Sequence, residues 1–448
     1  MSVIVNSRVG TRLINNQMIA FNCQNHMVAI WNPAAADVLI GLQSGKSNIA
    51  IATKFASQWG ITIDEAVISI DEFVAELVSD GFLIGNCPAI DSMITDDDRA
   101  GEETLLAIEM MAIESLTPYS VTFETTYCCN ELCIHCYMDR SKKSLSFDKI
   151  VDVLDQLVEA GTLFISFTGG EFLTRKDALE IVDVAHKRGF VIDILSNGTM
   201  INETIATFFG CRRVRRVQLS IYGYREETHD RVTQIKGSLA QTIQAIHALK
   251  STDVKVELAY PMMRQNFQER YQVWEMAKSL GCVISPSPII TARNSGSTDT
   301  HDLRLTDEEF RQFYADQELS ALYSGRKPFS THMLYFGFTD LLEAAPCYSG
   351  FNTCAISPEG KVYPCNQLLY EVGDLTQNTF DEIWHGESLQ KLRKYKVRDL
   401  TKCSTCPQLS TCARCPGLAL LEGGDLLGPS PENCRQTHIY SMTKGGEV

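Results

Sequence analysis

No run of 18 uninterrupted apolar residues occurs in the chain, and the most hydrophobic stretch, residues 27–42, is broken by Asn32, Pro33 and Asp37. A membrane-spanning helix is therefore not expected. The first residues also lack the basic, apolar and small-residue order of a secretory signal, so a cytoplasmic protein is expected. Positive charge is scarce: 40 basic against 55 acidic side chains leave a net −15. Nonspecific binding to nucleic acid or to an anionic membrane is not expected of such a chain. The window Arg212, Arg213, Arg215 and Arg216 is a local exception and reads as the solvated start of a strand. Low-complexity and disordered composition are missing too, since 44% of residues are hydrophobic, 21% charged and 9% aromatic. At 448 residues, two to four globular domains are expected. Such a chain can bury about 70–75% of its unfolded surface without staples.

Cysteine is the residue in excess. Sixteen are present, and in a reducing compartment clustered cysteines point to metal or redox chemistry, not to disulfides. Eight lie between Cys347 and Cys434, and four between Cys128 and Cys136. Cys23, Cys87, Cys211 and Cys282 are scattered and read as small buried hydrophobes.

Residues 1–90 read as a small unit. Alternation over Thr11–Ile14 and Met18–Phe21, with Asn15-Asn16 between, predicts a hairpin. Ile51, Phe55 and Trp59 share a face of a helix over Asn48–Trp59, with Ser47 placed to cap it. Phe73, Val74 and Leu77 form a second apolar face within Asp71–Ser79. Asp80-Gly81 then leads into a short strand, Phe82-Leu83-Ile84. Hairpin, helices and closing strand suggest a winged-helix shape, and the third-helix region lacks the basic face of a DNA reader. The stretches WNPAAADVLIGLQSGKSNIAIATKF and FVAELVSDGFLIG resemble the precursor-peptide recognition element, the peptide-chaperone family of pyrroloquinoline quinone biosynthesis. That resemblance implies a domain that takes a leader peptide as an added strand. A dimerisation or regulatory winged helix is the alternative.

Residues 91–115 are expected to be a linker, its acidic first part (91–104) free of apolar periodicity. Residues 116–305 alternate strand and helix. Strands are expected at Tyr119–Glu124, Leu163–Phe167, Val191–Leu195, Val214–Ile221, Val254–Ala259 and Val283–Ile290, with helices such as Phe147–Ala160 and Asp177–Lys187 between. This is an α/β pattern with a parallel sheet. A doubly wound sheet and a partial barrel fit it equally, and both place chemistry at the carboxyl ends of the strands. Residues 306–345 read as a bridging region, and residues 346–448 as loops organised around metal.

The run TYCCNELCIHCYMD follows the first of these strands. Cys129, Cys133 and Cys136 are spaced C-x3-C-x2-C, one thiolate short of a closed tetrahedral site, and an open metal position is where substrate chemistry takes place. Cys128 is not expected to join them. The spacing and position resemble the radical S-adenosylmethionine superfamily, whose fold implies a partial (β/α)6 barrel. The resemblance implies a [4Fe–4S] cluster on the three cysteines. Its open iron would bind S-adenosylmethionine, and reductive cleavage would give a 5′-deoxyadenosyl radical. It also implies that His135 lies against the adenine and that Gly169, Gly170 and Glu171, in FTGGEFL, form the motif beside the ligand's amino group. Ser196, Asn197 and Ser220 become candidate contacts to ribose and carboxylate, and Arg264 a candidate partner of the carboxylate.

The second array comprises Cys347, Cys354 and Cys365, then Cys403, Cys406, Cys412 and Cys415, then Cys434. It resembles the SPASM extension of radical S-adenosylmethionine enzymes, with two residues where the family usually has three before Cys415. The resemblance implies two auxiliary [4Fe–4S] clusters, three in all. Cys347, Cys354, Cys365 and Cys415 would hold the first, and Cys403, Cys406, Cys412 and Cys434 the second; some members leave an iron of the first open. The three parts together resemble maturases of ribosomally made peptides. A thioether crosslink on a leader-bearing precursor peptide is expected, with an electron donor such as flavodoxin or ferredoxin. Alternatives are a carbon–carbon crosslink, a protein side-chain modification as in sulfatase maturation, and a cluster-stabilised peptide-binding scaffold. No catalytic base stands out from the sequence.

Overall fold

The computed structural model describes residues 3–85, 98–140, 142–323 and 340–444. Cys87, linker residues 91–97 and bridging residues 324–339 lie outside them.

The hairpin forms as the Asn-Asn pair dictates. Strands β2 (Val9–Ile14) and β3 (Gln17–Asn22) pair antiparallel, and Asn15 (φ 49°) and Asn16 (φ 61°) make the left-handed turn that matches strand twist. Strand β4 (Val28–Trp31) extends the sheet on the β3 side, and β1 (Val3–Val5) pairs separately with the closing strand β5 (Leu83–Gly85). The helix Asn48–Trp59 has Ser47 as its cap, accepting from Ala50 N. The second apolar face belongs to a longer helix, Ile63–Ser79, started about two turns earlier by a Thr62–Glu65 capping box. One face of the sheet packs Met18, Ala20 and Trp31 against these helices. Cys23 and Cys282 are buried as expected, whereas Cys211 is exposed at the end of the helix Glu203–Gly210. A further helix, Asp98–Glu114, occupies most of the expected linker. Its Leu105, Ile108 and Met111 find apolar partners in Val28 and Ile30 of β4, contacts that periodicity within the linker did not announce.

Six parallel strands follow: β6 (Ser120–Thr126), β7 (Phe164–Gly169), β8 (Val191–Ser196), β9 (Val214–Ser220), β10 (Lys255–Pro261) and β11 (Val283–Ser287). They lie side by side in chain order. A doubly wound sheet would reverse its order at a switch point, so the sheet is the partial barrel. Ile165, Ile192, Ile194, Val217 and Leu219 alternate onto the helix-covered face, and the helix Phe147–Glu159 meets it with Ile150, Val153, Leu154 and Leu157. Beyond β6 the sheet continues into β12 (Thr353–Ile356), parallel to β6, then β13 (Lys361–Tyr363) and β14 (Gly373–Asp374), both antiparallel. The cysteine-rich region thus grows from the barrel's edge.

The arginine window is not solvated. A register shift between Ile192 and Asp193 turns its last two members onto buried Asp193, with Arg215 Nη2 at 2.5 Å and Arg216 Nη2 at 2.8 Å from Oδ2. Arg212 pairs with Asp183, and Arg213 Nε donates to Val9 O across the domain junction at 2.7 Å. Arg12 donates to Thr162 O and Arg188 O at 2.7 and 2.8 Å. Ile14, Ile19 and Phe21 close on Leu163, Phe164 and Val191, where β7 and β8 begin. The N-terminal domain therefore seals the amino end of the barrel, opposite the cysteine loop.

Candidate functional site

At the carboxyl ends of the strands lies a cavity of about 290 Å³. Cys129, Cys133, Cys136, His135, Gly169, Gly170, Ser196, Asn197 and Ser220 all reach its wall. Glu171 does not; it is fully buried behind the wall. Its carboxylate accepts from Leu173 N (3.0 Å), Asn197 N (2.8 Å) and Ser196 Oγ (2.9 and 3.0 Å). Burial pushes this carboxyl up, and those donors pull it back. Glu171 thus organises the end of β8 from behind the wall that Ser196 and Asn197 line. Asn197 is held further by Asn130 Oδ1 at 2.8 Å, a bond that ties β8 to the cysteine loop.

The two glycines line the cavity and also answer a steric demand between two loops. A Cβ on Gly169, whose φ is +139°, would sit 1.9 Å from Thr126 O, and one on Gly170 would sit 2.3 Å from Cys128 O. Only glycine lets the β7 loop lie against the cysteine loop, with Gly170 N bonded to Thr126 O (2.7 Å) and Glu171 N to Cys128 O (2.8 Å). Cys128 is exposed and contributes that carbonyl. Arg264 was expected at the cofactor's carboxylate, but the structure places it outside this cavity. It lies on the exposed wall of another cavity, with Arg304 and Arg435, because the chain turns outward after β10 and Arg264 N bonds to Leu303 O.

Several residues on the wall or behind the cysteine loop had no distinctive sequence signal. Tyr222 is almost buried, packs with Cys133 and stands 5.0 Å from the His135 ring. Burial, with Arg293 nearby, pulls His135 down to about 4, so the imidazole is neutral at pH 7. Its Nδ1 is buried without a partner, an unspent polar atom on the wall where a ligand would lie. Gln218 is fixed by Glu257 at 2.7 Å. Arg293 donates to Ile134 O (3.5 Å) and Cys136 O, and Asp299 orients it at 2.7 Å. A loop arginine 157 residues from Cys136 cannot be linked to it by spacing.

Among the described residues no three Cys, His, Asp or Glu side chains converge on one metal ion. A cubane spreads its cysteine ligands over separate irons. The all-sulfur donor set, the glycine-lined wall and the orphaned His135 nitrogen fit an iron–sulfur cluster with a nucleotide beside it. Cys129, Cys133 and Cys136 would hold that cluster. In the C-terminal region Cys403, Cys406, Cys412 and Cys434 lie within one another's field. Cys415 joins Cys347 and Cys365 despite its shortened spacing. Arg414 lies between the two sets, near Cys403, Cys412 and Cys415.

Comparison with known proteins agrees with this geometry. Residues 123–277 match the Radical SAM superfamily and residues 347–416 the SPASM iron–sulfur cluster-binding domain. Among similar sequences, the AdoMet-dependent heme synthase of Methanosarcina barkeri is 26% identical over 70% of this chain and 95% of its own. The mycofactocin maturase MftC of Mycolicibacterium smegmatis is 27% identical over 70% of this chain and 82% of its own. In fold, SuiB of Streptococcus suis, solved with its precursor peptide SuiA, superposes with a TM-score of 0.62 over 96% of this chain and 99% of its own at 13% identity.

Proposed function

Because the chain is an enzyme built on a radical SAM domain and an iron–sulfur SPASM domain, we propose that it matures a ribosomally made precursor peptide, installing a crosslink, with a thioether as the first product to seek. When bound, the cluster and S-adenosylmethionine supply reductive cleavage of the sulfonium and a 5′-deoxyadenosyl radical able to remove a hydrogen atom. The chain's own residues bind and orient. Ser196, Asn197 and Ser220 offer polar contacts, neutral His135 and Tyr222 offer an aromatic wall, and Glu171 and Arg293 keep the loops in place. The two SPASM thiol sets are assigned one cluster each, and an external flavodoxin- or ferredoxin-like protein is assigned as electron donor.

The observation that carries the peptide reading is the N-terminal domain. Strand β4 is one of the two outer strands of its sheet. In an antiparallel ladder hydrogen-bonded and non-bonded pairs alternate. The bond from Asn22 N to Met27 O therefore leaves the outward-facing N–H groups on Val28 and Ile30. A leader adding as a strand there would lie beside the helix Ile63–Ser79, with Trp31 and Phe73, whose ring centroids are 6.0 Å apart, at its side. Tethering raises the effective concentration of the core peptide, so weak contacts at the cavity suffice.

The test is anaerobic incubation with dithionite, S-adenosylmethionine and the cognate peptide with and without its leader. Release of 5′-deoxyadenosine in every case, with a two-hydrogen mass loss only on leader-bearing peptide, is expected. Equal modification of both peptides refutes leader binding. The relatives named heme synthases favour a second reading, a tetrapyrrole substrate, which turnover of a tetrapyrrole in the same assay would establish.

A further inference from the structure

We infer that the guanidinium of Arg414 is a counter-charge shared by the two C-terminal thiol sets, which raises the reduction potentials of the clusters both sets hold. The inference rests on the assignment of one cluster to each set and is independent of the peptide reading. The shortened spacing leaves only Ala413 and Arg414 between Cys412, of the second set, and Cys415, of the first. Arg414 is 7% exposed. Its Nε and Nη2 donate to Gly428 O at 2.9 and 2.6 Å, and Nη2 donates also to Leu426 O at 2.5 Å. Nη1 is buried without a partner. The carbonyl bonds fix the position of the group and leave its charge uncompensated. Arg304, by contrast, meets Glu422 at 2.5 Å and Glu432 at 3.4 Å.

A buried guanidinium is costly unless something anionic lies beside it. Burial works against the charge of Arg414, and the charges that sustain it are those of Cys403, Cys415 and Cys412. Cys434 feels it as well. Among the described residues no carboxylate is bonded to it. Thiolates of both sets are therefore its counter-ions. A small cavity beside it has Cys347, of the first set, on its wall. The two sets are also tied together here, since Asn433, next to Cys434, accepts Cys415 N at 2.9 Å and Ser430 Oγ at 2.8 Å. A thiolate-bound cluster gains a negative charge on reduction, and a cation fixed beside it stabilises the reduced form. One charge seated between two such sites makes each a better electron acceptor, and the unspent Nη1 can bond a ligating sulfur.

The experiment uses the full chain with Cys129, Cys133 and Cys136 all replaced by alanine, reconstituted anaerobically, so that only the C-terminal sets report. Iron and sulfide in this parent show whether both sets are loaded; a single cluster's content refutes the assignment itself, before any potential is read. EPR-monitored redox titration then compares the parent with added Arg414→Gln and added Arg414→Lys. Arg414→Gln should disfavour reduction of both clusters tenfold or more, a shift of about 59 mV for one electron. Arg414→Lys keeps the charge without the planar fork and should restore most of that shift. Parent-like potentials in iron-replete Arg414→Gln overturn the inference. So does a shift confined to one cluster, or one that Arg414→Lys shares in full, since the carbonyl bonds alone then explain it. If Arg414→Gln does not load, the lysine variant decides: parent-like iron and potentials bear out the shared charge, and equal loss of iron overturns it.

Discussion

Replacing Glu171 with glutamine keeps the side chain's shape and removes its charge, and the hydrogen bonds around it set the cost. The carboxylate accepts two backbone N–H groups, Leu173 on one oxygen and Asn197 on the other, plus the Ser196 hydroxyl. A glutamine presents one acceptor oxygen, so its NH2 must face a buried N–H. One orphaned donor costs about 1–3 kcal/mol, and the surviving bonds lose their charge assistance, about 1 kcal/mol more. Burial already disfavours the carboxylate, which offsets part of this and leaves a loss of about 2–3 kcal/mol. Most of it falls on Ser196 and Asn197, so S-adenosylmethionine affinity should drop about 10- to 100-fold, at about 1.4 kcal/mol per decade. Calorimetric titration of the anaerobic holoenzyme measures it, with iron content as the control. A Glu171→Gln protein that binds within two-fold of wild type, with unchanged iron, would show that the carboxylate does not organise the cavity wall.

Glu124 gives a pH prediction. Burial raises its carboxyl to about 7, against a lowering bond from Tyr127. An acid raised in the fold costs nothing below its unfolded pKa of about 4.3 and progressively destabilises as pH climbs toward 7; Glu124→Gln should therefore flatten the melting-temperature profile between pH 5 and 8 and stabilise the protein most at pH 8. Asp193 has the opposite sign. Burial works against its charge, but Arg215 and Arg216 hold it below its ordinary value. Their contribution is complete above about pH 4 and is lost as pH falls through the lower folded value; thermal melts of wild type should fall there, and those of Asp193→Asn should not. Removing the Arg213 side chain (Arg213→Ala) deletes its bond to Val9 O. Proteolytic nicking between the N-terminal domain and the barrel should rise, with 5′-deoxyadenosine release preserved. Finally, a leader held at the amino end of the barrel lies a strand's length, about 20 Å, from the cysteine loop. Peptides with fewer than about six residues between leader motif and modified site should bind but not react, as binding and mass spectrometry would show.

Much of the architecture was legible because its signals are local. Asn15-Asn16 makes a turn wherever it lies between alternating strands, Ser47 caps a helix by itself, and the six barrel strands announce themselves by apolar runs at regular spacing. Misreadings arose where a side chain's fate depends on a distant element. The arginine window looks solvated until a bulge at Ile192/Asp193 turns Arg215 and Arg216 onto Asp193. Arg264 looks like a ligand contact until the chain after β10 carries it outward. Glu171 carries the right motif, yet its work is behind the cavity wall. Tyr222, Gln218 and Arg293 have no spacing relation to the cysteines and were found only when the strands brought them together.

Cysteine chemistry and the order of the three regions were determined by the chain itself, because thiol spacing within a loop of a few residues constrains which sulfurs can share a cluster. Which face of a sheet each thiol occupies was decided by tertiary structure alone. Cys354 has its place in the array by count and spacing, and strand pairing with β6 sets it beside Val121 in the core. Likewise the N-terminal domain could be recognised from its pattern, whereas its position at the closed end of the barrel follows from Ile14, Ile19 and Phe21 meeting Phe164 and Val191. Hydrophobic burial over long sequence separation set both outcomes, and no local pattern encodes it.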